Sequence, residues 1–370
     1  MKMVKLAVVF GTRPEAIKMA PVVSELKRQV GWQVKVVVTG QHREMLHQVL
    51  EVFQIQPDYD LDIMTHGQTL EEVTVRVMQG VSEVFRTWRP DLVLVHGDTT
   101  TAFAAALAAF YLKIPIGHVE AGLRTIDITN PFPEEANRRL TDVLATYYFA
   151  PTDHAARNLL NEGVDKERIF VTGNTVIDAL LSVVQENYTF RNPILKALDF
   201  SQQIVVVTAH RRENWGEPLH QICRALVEIS EANDCQIIVA MHRNPTIQKV
   251  MKEHLGNRQG IHLIDGPDYE EFANLLYRCT LLLTDSGGLQ EEAPALNKPV
   301  LVLREVTERP EGVEAGTVRL VGTNKEEIVG AVTNLLRDKD LYLSMAAAEN
   351  PYGDGYAARR IRQILEQKLI

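Results

Sequence analysis

The stretch from Asp91 to Val119, DLVLVHGDTTTAFAAALAAFYLKIPIGHV, decides the fold. Its two ends, DLVLV and IPIGHV, are short apolar runs without the polar alternation of a half-exposed strand. Its middle, TTTAFAAALAAFYL, carries a helical pattern. Continuous Val/Ile/Leu runs mark strands covered on both faces, as in parallel sheets flanked by helices. The same order extends outward in both directions. KLAVVF and VKVVV precede it, YYFA follows, and a second series runs QIVVVT, QIIVAM, IHLI, TLLLT and PVLVL. The expectation is a doubly wound α/β fold made of two Rossmann-like domains. A polar stretch, QENYTFRNPILKALDFSQQ, precedes the second series, so the hinge is expected near residues 172–186. The last helical pattern, YAARRIRQILEQKL, suits either half.

Bulk composition narrows the function classes. The chain has 370 residues and a net charge of −9, with no runs of basic residues. That excludes a general nucleic-acid or membrane surface, although it permits a local basic pocket. The three cysteines, Cys223, Cys235 and Cys279, have neither CxxC nor Cys/His ligand spacing, which argues against a disulfide framework or structural zinc. The first apolar run is too short for a signal peptide and reads as a buried strand. No uninterrupted apolar span reaches membrane length. A cytoplasmic protein is expected.

The unusual residues gather at the carboxyl ends of the expected strands. GTRPEAIK, TGQHRE, HGDTTT and VEAGLR occupy these positions in the first half, and AHRREN, MHRNP and DSGG in the second. Open α/β sheets bind ligands at this rim, so two rims facing across a hinge would make one cleft. In DSGGLQEEAP, Ser286, Gly287 and Gly288 lead into a helical pattern, which suits either phosphate binding or an ordinary capped turn. Neither a P-loop nor a GxGxxG fingerprint is present. Arg13, Lys18, Arg211, Arg212, Arg243 and Arg309 are candidate phosphate cations; Lys18 reads equally as a solvated helix lysine. Asp98 is either a helix cap or a reactive acid, and Glu134 either complements a helix dipole or does chemistry. Glu120 fits a bland reading less well, because it ends a buried strand and needs a partner. His210 ends an apolar strand and leads into two arginines, which suits anion contact.

Taken together, FGTRPEAIKMAP, HGDTTTAFAAALAAFY, HVEAGLRT, NPFPEEANRR, TAHRREN, DSGGLQEEAP and TERPEGVEAGT resemble the non-hydrolysing bacterial UDP-N-acetylglucosamine 2-epimerases. The resemblance implies a GT-B-type arrangement with the active site in the interdomain cleft, in a cytoplasmic homodimer. It returns the last helix to the first half. The implied domains are residues 1–171 plus 358–370, carrying the catalytic acids, and residues 172–357, binding UDP. The implied activity is reversible conversion of UDP-GlcNAc to UDP-ManNAc through 2-acetamidoglucal, without NAD or an obligatory metal, in supply of surface polysaccharide. Carried over by motif, the catalytic residues are Asp98, Glu120, Glu134 and His210. Substrate contacts fall on Arg13, Lys18, Phe272, Ser286, Gly287, Gly288, Glu292 and Arg309, with Glu292 on the ribose and Phe272 near the uracil.

The chain also departs from the family pattern. Some members bind a second UDP-GlcNAc as activator, and the corresponding positions here are Gln41, His42, Arg43, Arg211 and His242. Glu44 replaces a glutamine and Gly67 an arginine, which weakens anion binding and implies weak or absent activation. Pro267 stands where relatives carry a longer side chain beside the uracil. Three rival readings share much of the pattern: a hydrolysing epimerase, a GT-B glycosyltransferase and a non-catalytic nucleotide-sugar sensor.

Overall fold

A computed structural model describes residues 3–40, 43–65, 67–242 and 244–369, with the side chains of residues 43–45 outside the description. It divides into two compact units, Met1–Ser182 with Tyr352–Ile370, and Val183–Pro351. Each is built on one parallel sheet.

The first unit holds β1 (Val4–Phe10), β2 (Trp32–Val38), β3 (Tyr59–Asp60), β4 (Leu92–His96), β5 (Ile116–Val119), β6 (Tyr147–Ala150) and β7 (Ile169–Val171). They lie side by side in the order β3-β2-β1-β4-β5-β6-β7. The second unit holds β8 (Gln203–Thr208), β9 (Cys235–Met241), β10 (Ile261–Asp265), β11 (Leu281–Thr284), β12 (Val300–Val302) and β13 (Val318–Leu320). Their order is β10-β9-β8-β11-β12-β13. Both sheets are all-parallel, with register pairs such as Val8↔Val36 and Leu282↔Val206. The chain therefore winds one way and then the other, reversing between β1 and β4 and again between β8 and β11. Those reversals leave a crevice outside the strand carboxyl ends.

The apolar runs form strands because both faces are covered. In β4 every residue is buried, and β1 exposes part of only Lys5. The helix Thr100–Tyr111 is an alanine-rich body whose Ala104, Ala105 and Ala108 are fully buried beside Val77, Val81 and Phe85. Small side chains there let two helices and the sheet approach closely. The second unit has a separate core around Leu226, Ile229, Val239 and Leu335. Each such fully buried aliphatic side chain contributes roughly 1.5–3 kcal/mol.

Three features differ from expectation. First, β3 and β13 are edge strands of two and three residues, too short to leave an apolar run in the sequence. Second, DSGG leads into a helix of only four residues, Leu289–Glu292, which tightens to a 3-10 turn over Ala293–Leu296. Pro294 lacks the N–H that an α-helix would donate to Gln290, so the helix cannot continue in that form. Third, the division falls after Ser182 and before Tyr352 rather than at 171/172 and 357/358. Hydrogen bonds account for the shift. Asn174 N donates to Tyr352 O at 2.7 Å. Asp178, on the helix Thr175–Val183, accepts Ala357 N at 3.2 Å and Ala358 N at 2.8 Å. The final helix, Ala357–Leu369, then lies along the first, where Arg362 meets Gln29 at 2.8 Å and Glu25 at 3.3 Å.

Candidate active site

At the β1/β4 reversal, a capping box shapes the first turn. Thr12 precedes the helix Arg13–Lys27, and Glu15 reaches back to it. Glu15 Oε2 accepts Gly11 N at 3.0 Å and Thr12 N at 2.8 Å, while Oε1 accepts Thr99 Oγ1 at 2.7 Å. One buried carboxyl thus joins the turn after β1 to the start of the helix after β4. Burial pushes its pKa up, and these hydrogen bonds only partly oppose that.

Glu120, directly after β5, has φ +66, a left-handed backbone that a side chain with a Cβ adopts at a cost. Its carboxylate is 9% exposed and bonded to Lys18 Nζ. Asn174 Nδ2 donates to the same oxygen at 2.9 Å, and His96 Nε2 lies 3.7 Å from it. Burial alone would raise the pKa, but the Lys18 and His96 charges outweigh it and hold the carboxyl well below its ordinary value. Glu120 is therefore ionised. His96 itself is buried, and its ring nitrogens have no hydrogen-bond partner among the described residues.

Asp98 follows Gly97, whose φ of +63 sets the direction of the turn. Its carboxylate pairs with Arg138, and its carbonyl accepts Asn137 Nδ2 at 3.0 Å. Arg138 also meets the fully buried Glu135 at 2.9 Å. These contacts fasten the helix Glu134–Leu144 to the Asp98 turn. Glu134 is the first residue of that helix, after the two cis prolyl bonds Asn130–Pro131 and Phe132–Pro133. No side chain among the described residues bonds its carboxylate. The segments carrying Asp98, Glu120 and Glu134 thus meet within one unit.

At the β8/β11 reversal the buried acid is Asp285. Its Oδ2 accepts His210 N at 2.8 Å, Arg211 N at 2.8 Å and Asn214 Nδ2 at 2.9 Å. Oδ1 lies 3.0 Å from His210 Nδ1. Burial raises the Asp285 pKa, and His210 with these N–H groups more than reverses it. His210 stacks on the exposed His242, with ring centroids 5.7 Å apart. Burial, followed by the nearby His210, lowers the His242 pKa.

The Ser286–Gly288 turn is tied to the segment 304–309. Gln290 Nε2 donates to Ser286 O at 3.2 Å, and Thr307 Oγ1 to Gln290 Oε1 at 2.6 Å. Arg211 meets Glu308 at 2.9 Å, Arg304 pairs with both Glu308 and Glu213, and Arg309 pairs with Glu291.

The expected residues therefore fall into two groups. Arg13, Lys18, Asp98, Glu120 and Glu134 belong to the first unit; His210, Arg211, His242, Ser286, Gly287, Gly288, Glu292 and Arg309 belong to the second. Lys18, read as a phosphate cation or a solvated lysine, is bonded to Glu120. Glu292 is buried. Phe272 is half-buried on the helix Tyr269–Arg278, between β10 and β11 in the chain. Gln41, His42 and Arg243 lie outside the described residues, and Arg43 begins the helix Arg43–Val52. Sequence reasoning missed Glu15, His96, Glu135, Arg138 and Asn174. The pattern Thr12-Arg-Pro-Glu15 is a legible capping box; nothing in the sequence marks the others. Among the described residues, no group of three or more His, Cys, Asp and Glu is arranged to hold a metal ion, and no helix is long and apolar enough to cross a membrane.

The family profile described as UDP-N-acetylglucosamine 2-epimerase matches residues 24–366. The chain is 53% identical to the UDP-N-acetylglucosamine 2-epimerase of Yersinia pestis, over 98% of both chains. It is 51% identical to that of Escherichia coli K12, over 99% of both. A crystal structure of UDP-GlcNAc 2-epimerase from Neisseria meningitidis bound to UDP-GlcNAc is 46% identical, with a TM-score of 0.87 over 98% of this chain and 100% of that one. With both sheets, both rims and nearly every residue accounted for by these relatives, the chain belongs to the UDP-N-acetylglucosamine 2-epimerase family.

Proposed function

We propose that this chain interconverts UDP-GlcNAc and UDP-ManNAc by eliminating UDP and adding it back through 2-acetamidoglucal. The hydrogen on sugar C2 is not beside a carbonyl, so its direct removal is unfavourable. The anomeric C–O bond breaks first, and its electron pair leaves with the UDP oxygen. Positive charge on the ring then acidifies C2–H. Loss of that proton forms the C1=C2 double bond, and a proton delivered to the opposite face of C2 lets the UDP oxygen add back at C1. Anions are needed at the ring and cations or N–H groups at the diphosphate. Proton carriers are needed on both faces of C2.

One observation carries this reading: a nearly buried, ionised Glu120, strained in its backbone and beside the Asp98 turn, at the reversal of a parallel sheet. In this assignment Asp98, Glu120 and Glu134 serve the sugar. His210, Arg13, Arg309 and the Ser286–Gly288 turn serve the diphosphate, Glu292 the ribose and Phe272 the uracil. The product would supply ManNAc units for surface polysaccharide. Incubation with UDP-GlcNAc in deuterated water tests the reading. Deuterium at C2 together with UDP-ManNAc supports it. Free ManNAc identifies a hydrolase, and an unchanged sugar leaves a transferase or a sensor.

Two further assignments belong with this reading. Activation by a second UDP-GlcNAc is expected to be weak, because Glu44 and Gly67 replace an amide and a cation. Strict dependence of UDP-ManNAc turnover on added UDP-GlcNAc would overturn that. A cytoplasmic homodimer is supported by three buried, unbridged cysteines and by apolar exposure on two helices of the first unit, at Phe110, Tyr111, Leu140 and Val143. Sedimentation of the wild type beside Val143→Arg tests the dimer.

A further inference from the structure

His118 lies within β5, is fully buried, and takes no part in the chemistry proposed above. Its Nε2 lies 2.8 Å from Gly97 O, and its Nδ1 lies 2.6 Å from Asp142 Oδ1. Because a carbonyl only accepts, Nε2 donates to Gly97. Gly97 immediately precedes Asp98. Asp142 lies on the helix that begins at Glu134, and its other oxygen accepts Gly122 N at 3.3 Å and meets Arg124 at 2.8 Å. Gly122 and Arg124 follow Glu120 in the loop after β5. One imidazole and one carboxylate therefore touch all three acid-bearing segments, behind the acids rather than among them. Burial raises the Asp142 pKa, but the His118 and Arg124 charges reverse it, so this carboxylate is an ionised acceptor.

We propose that His118 and Asp142 form a positioning pair that holds Asp98, Glu120 and Glu134 in register for the epimerisation, a role that rests on the function proposed above. The left-handed Gly97 turn has only a few bonds to fix it. Its N donates to Val119 O at 2.9 Å, and its O takes the His118 hydrogen bond. Losing the second weakens the tie of the turn to β5, so Asp98, with the Glu134 helix that Arg138 and Asn137 fasten to it, can shift relative to Glu120. A displacement of about 1 Å at reacting groups costs on the order of 100-fold in rate.

The decisive comparison uses His118→Gln, Asp142→Asn, the double variant and Tyr148→Phe. Tyr148, on β6, is a buried control that touches the end of the same helix, since its hydroxyl donates to Asp142 O at 2.8 Å and Ala145 O at 3.0 Å. For His118→Gln, kcat should fall on the order of 100-fold, with KM for UDP-GlcNAc and the Kd for UDP within about threefold of wild type. The double variant should lose no more than about the larger single loss, because the two residues act as a unit. Tyr148→Phe should lower the melting temperature and keep kcat. The pair loses its assigned role if His118→Gln keeps kcat, if losses multiply in the double variant, or if Tyr148→Phe slows turnover as much as His118→Gln. Should His118→Gln not fold, Asp142→Asn against Tyr148→Phe decides alone. A wild-type protein that does not epimerise sinks the function itself, a result separate from all of these.

Discussion

At the β1/β4 reversal two acids of the proposed chemistry, Glu120 and the partly buried Asp98, are held by side-chain cations, whereas at the β8/β11 reversal the buried Asp285 is held largely by the backbone. Glu120 and Asp98 take Lys18 and Arg138 as partners. Asp285 accepts two backbone N–H groups and an asparagine amide, and it orients a histidine. A carboxylate saturated by backbone donors is fixed architecture. One held by a lysine can exchange that partner for a substrate, because a side chain moves where a strand end does not. Under the proposed function, the same scaffold would serve as a chemical rim in one unit and a gripping rim in the other.

The largest expected effect tests the chemical rim. Glu120→Gln keeps the shape and the Asn174 contact but removes the charge. Its kcat should fall on the order of 1,000-fold or more, with UDP affinity nearly unchanged, if Glu120 acts on the transition state. A parallel rise in KM at constant kcat would instead make Glu120 a binding residue. Steady-state kinetics with UDP titration separates the two outcomes.

Asp285→Leu tests the gripping rim. The variant leaves the N–H groups of His210 and Arg211 without their acceptor and the Asn214 amide with Leu303 O alone, which should cost about 3–5 kcal/mol in denaturant unfolding. Weaker UDP binding should accompany it, because His210 loses its orienting partner. Asp285→Asn keeps an acceptor and should cost less. Equal cost for the two variants would mean that charge, not acceptor geometry, holds this turn.

Asp178 shows what a buried acid does with neither a catalytic assignment nor a bonded cation among the described residues. Burial is the largest cause that raises its pKa, from 3.8 to about 6, against the N–H groups of Ala357 and Ala358. A group whose folded pKa is raised contributes its full stability below the unfolded value and loses it as pH rises through the folded one. On going from about pH 7 to about pH 4, wild-type stability relative to Asp178→Asn should therefore rise, by at most about 3 kcal/mol. Urea unfolding across that window measures it. A flat difference would show that the clasp on the last helix does not titrate there.

The strand runs and rim motifs were legible because burial on both faces leaves an uninterrupted apolar signature in the chain itself. Asp98, Glu120, His210 and Ser286 could be placed at rims for the same reason. Partners were not legible. Lys18 meets Glu120, and Arg138 meets Asp98, only because distant strands lie side by side in one register. His96, Asn174 and Asp142 look like any polar residue until that register is known. The unit boundary was blurred for a related reason: the Asp178 clasp joins the helix Thr175–Val183 to a segment far along the chain.

The smallest expected effect lies in the glycines of the second rim and tells ligand binding apart from packing. A Cβ on Gly287 would lie 2.8 Å from Glu308 Oε1, so Gly287→Ala must disturb the Arg211 partner as well. A Cβ on Gly288 meets nothing within 4 Å, and its φ of −64 suits any residue. Gly288→Ala should therefore leave the melting temperature unchanged or slightly higher. If a diphosphate packs against the backbone here, the added methyl obstructs it, and the Kd for UDP should rise about tenfold, or about 1.4 kcal/mol. Calorimetric titration of UDP beside a thermal melt reads both quantities. Unchanged affinity in a fully folded Gly288→Ala protein would remove this turn from the diphosphate site and leave Gly287 with a packing role alone.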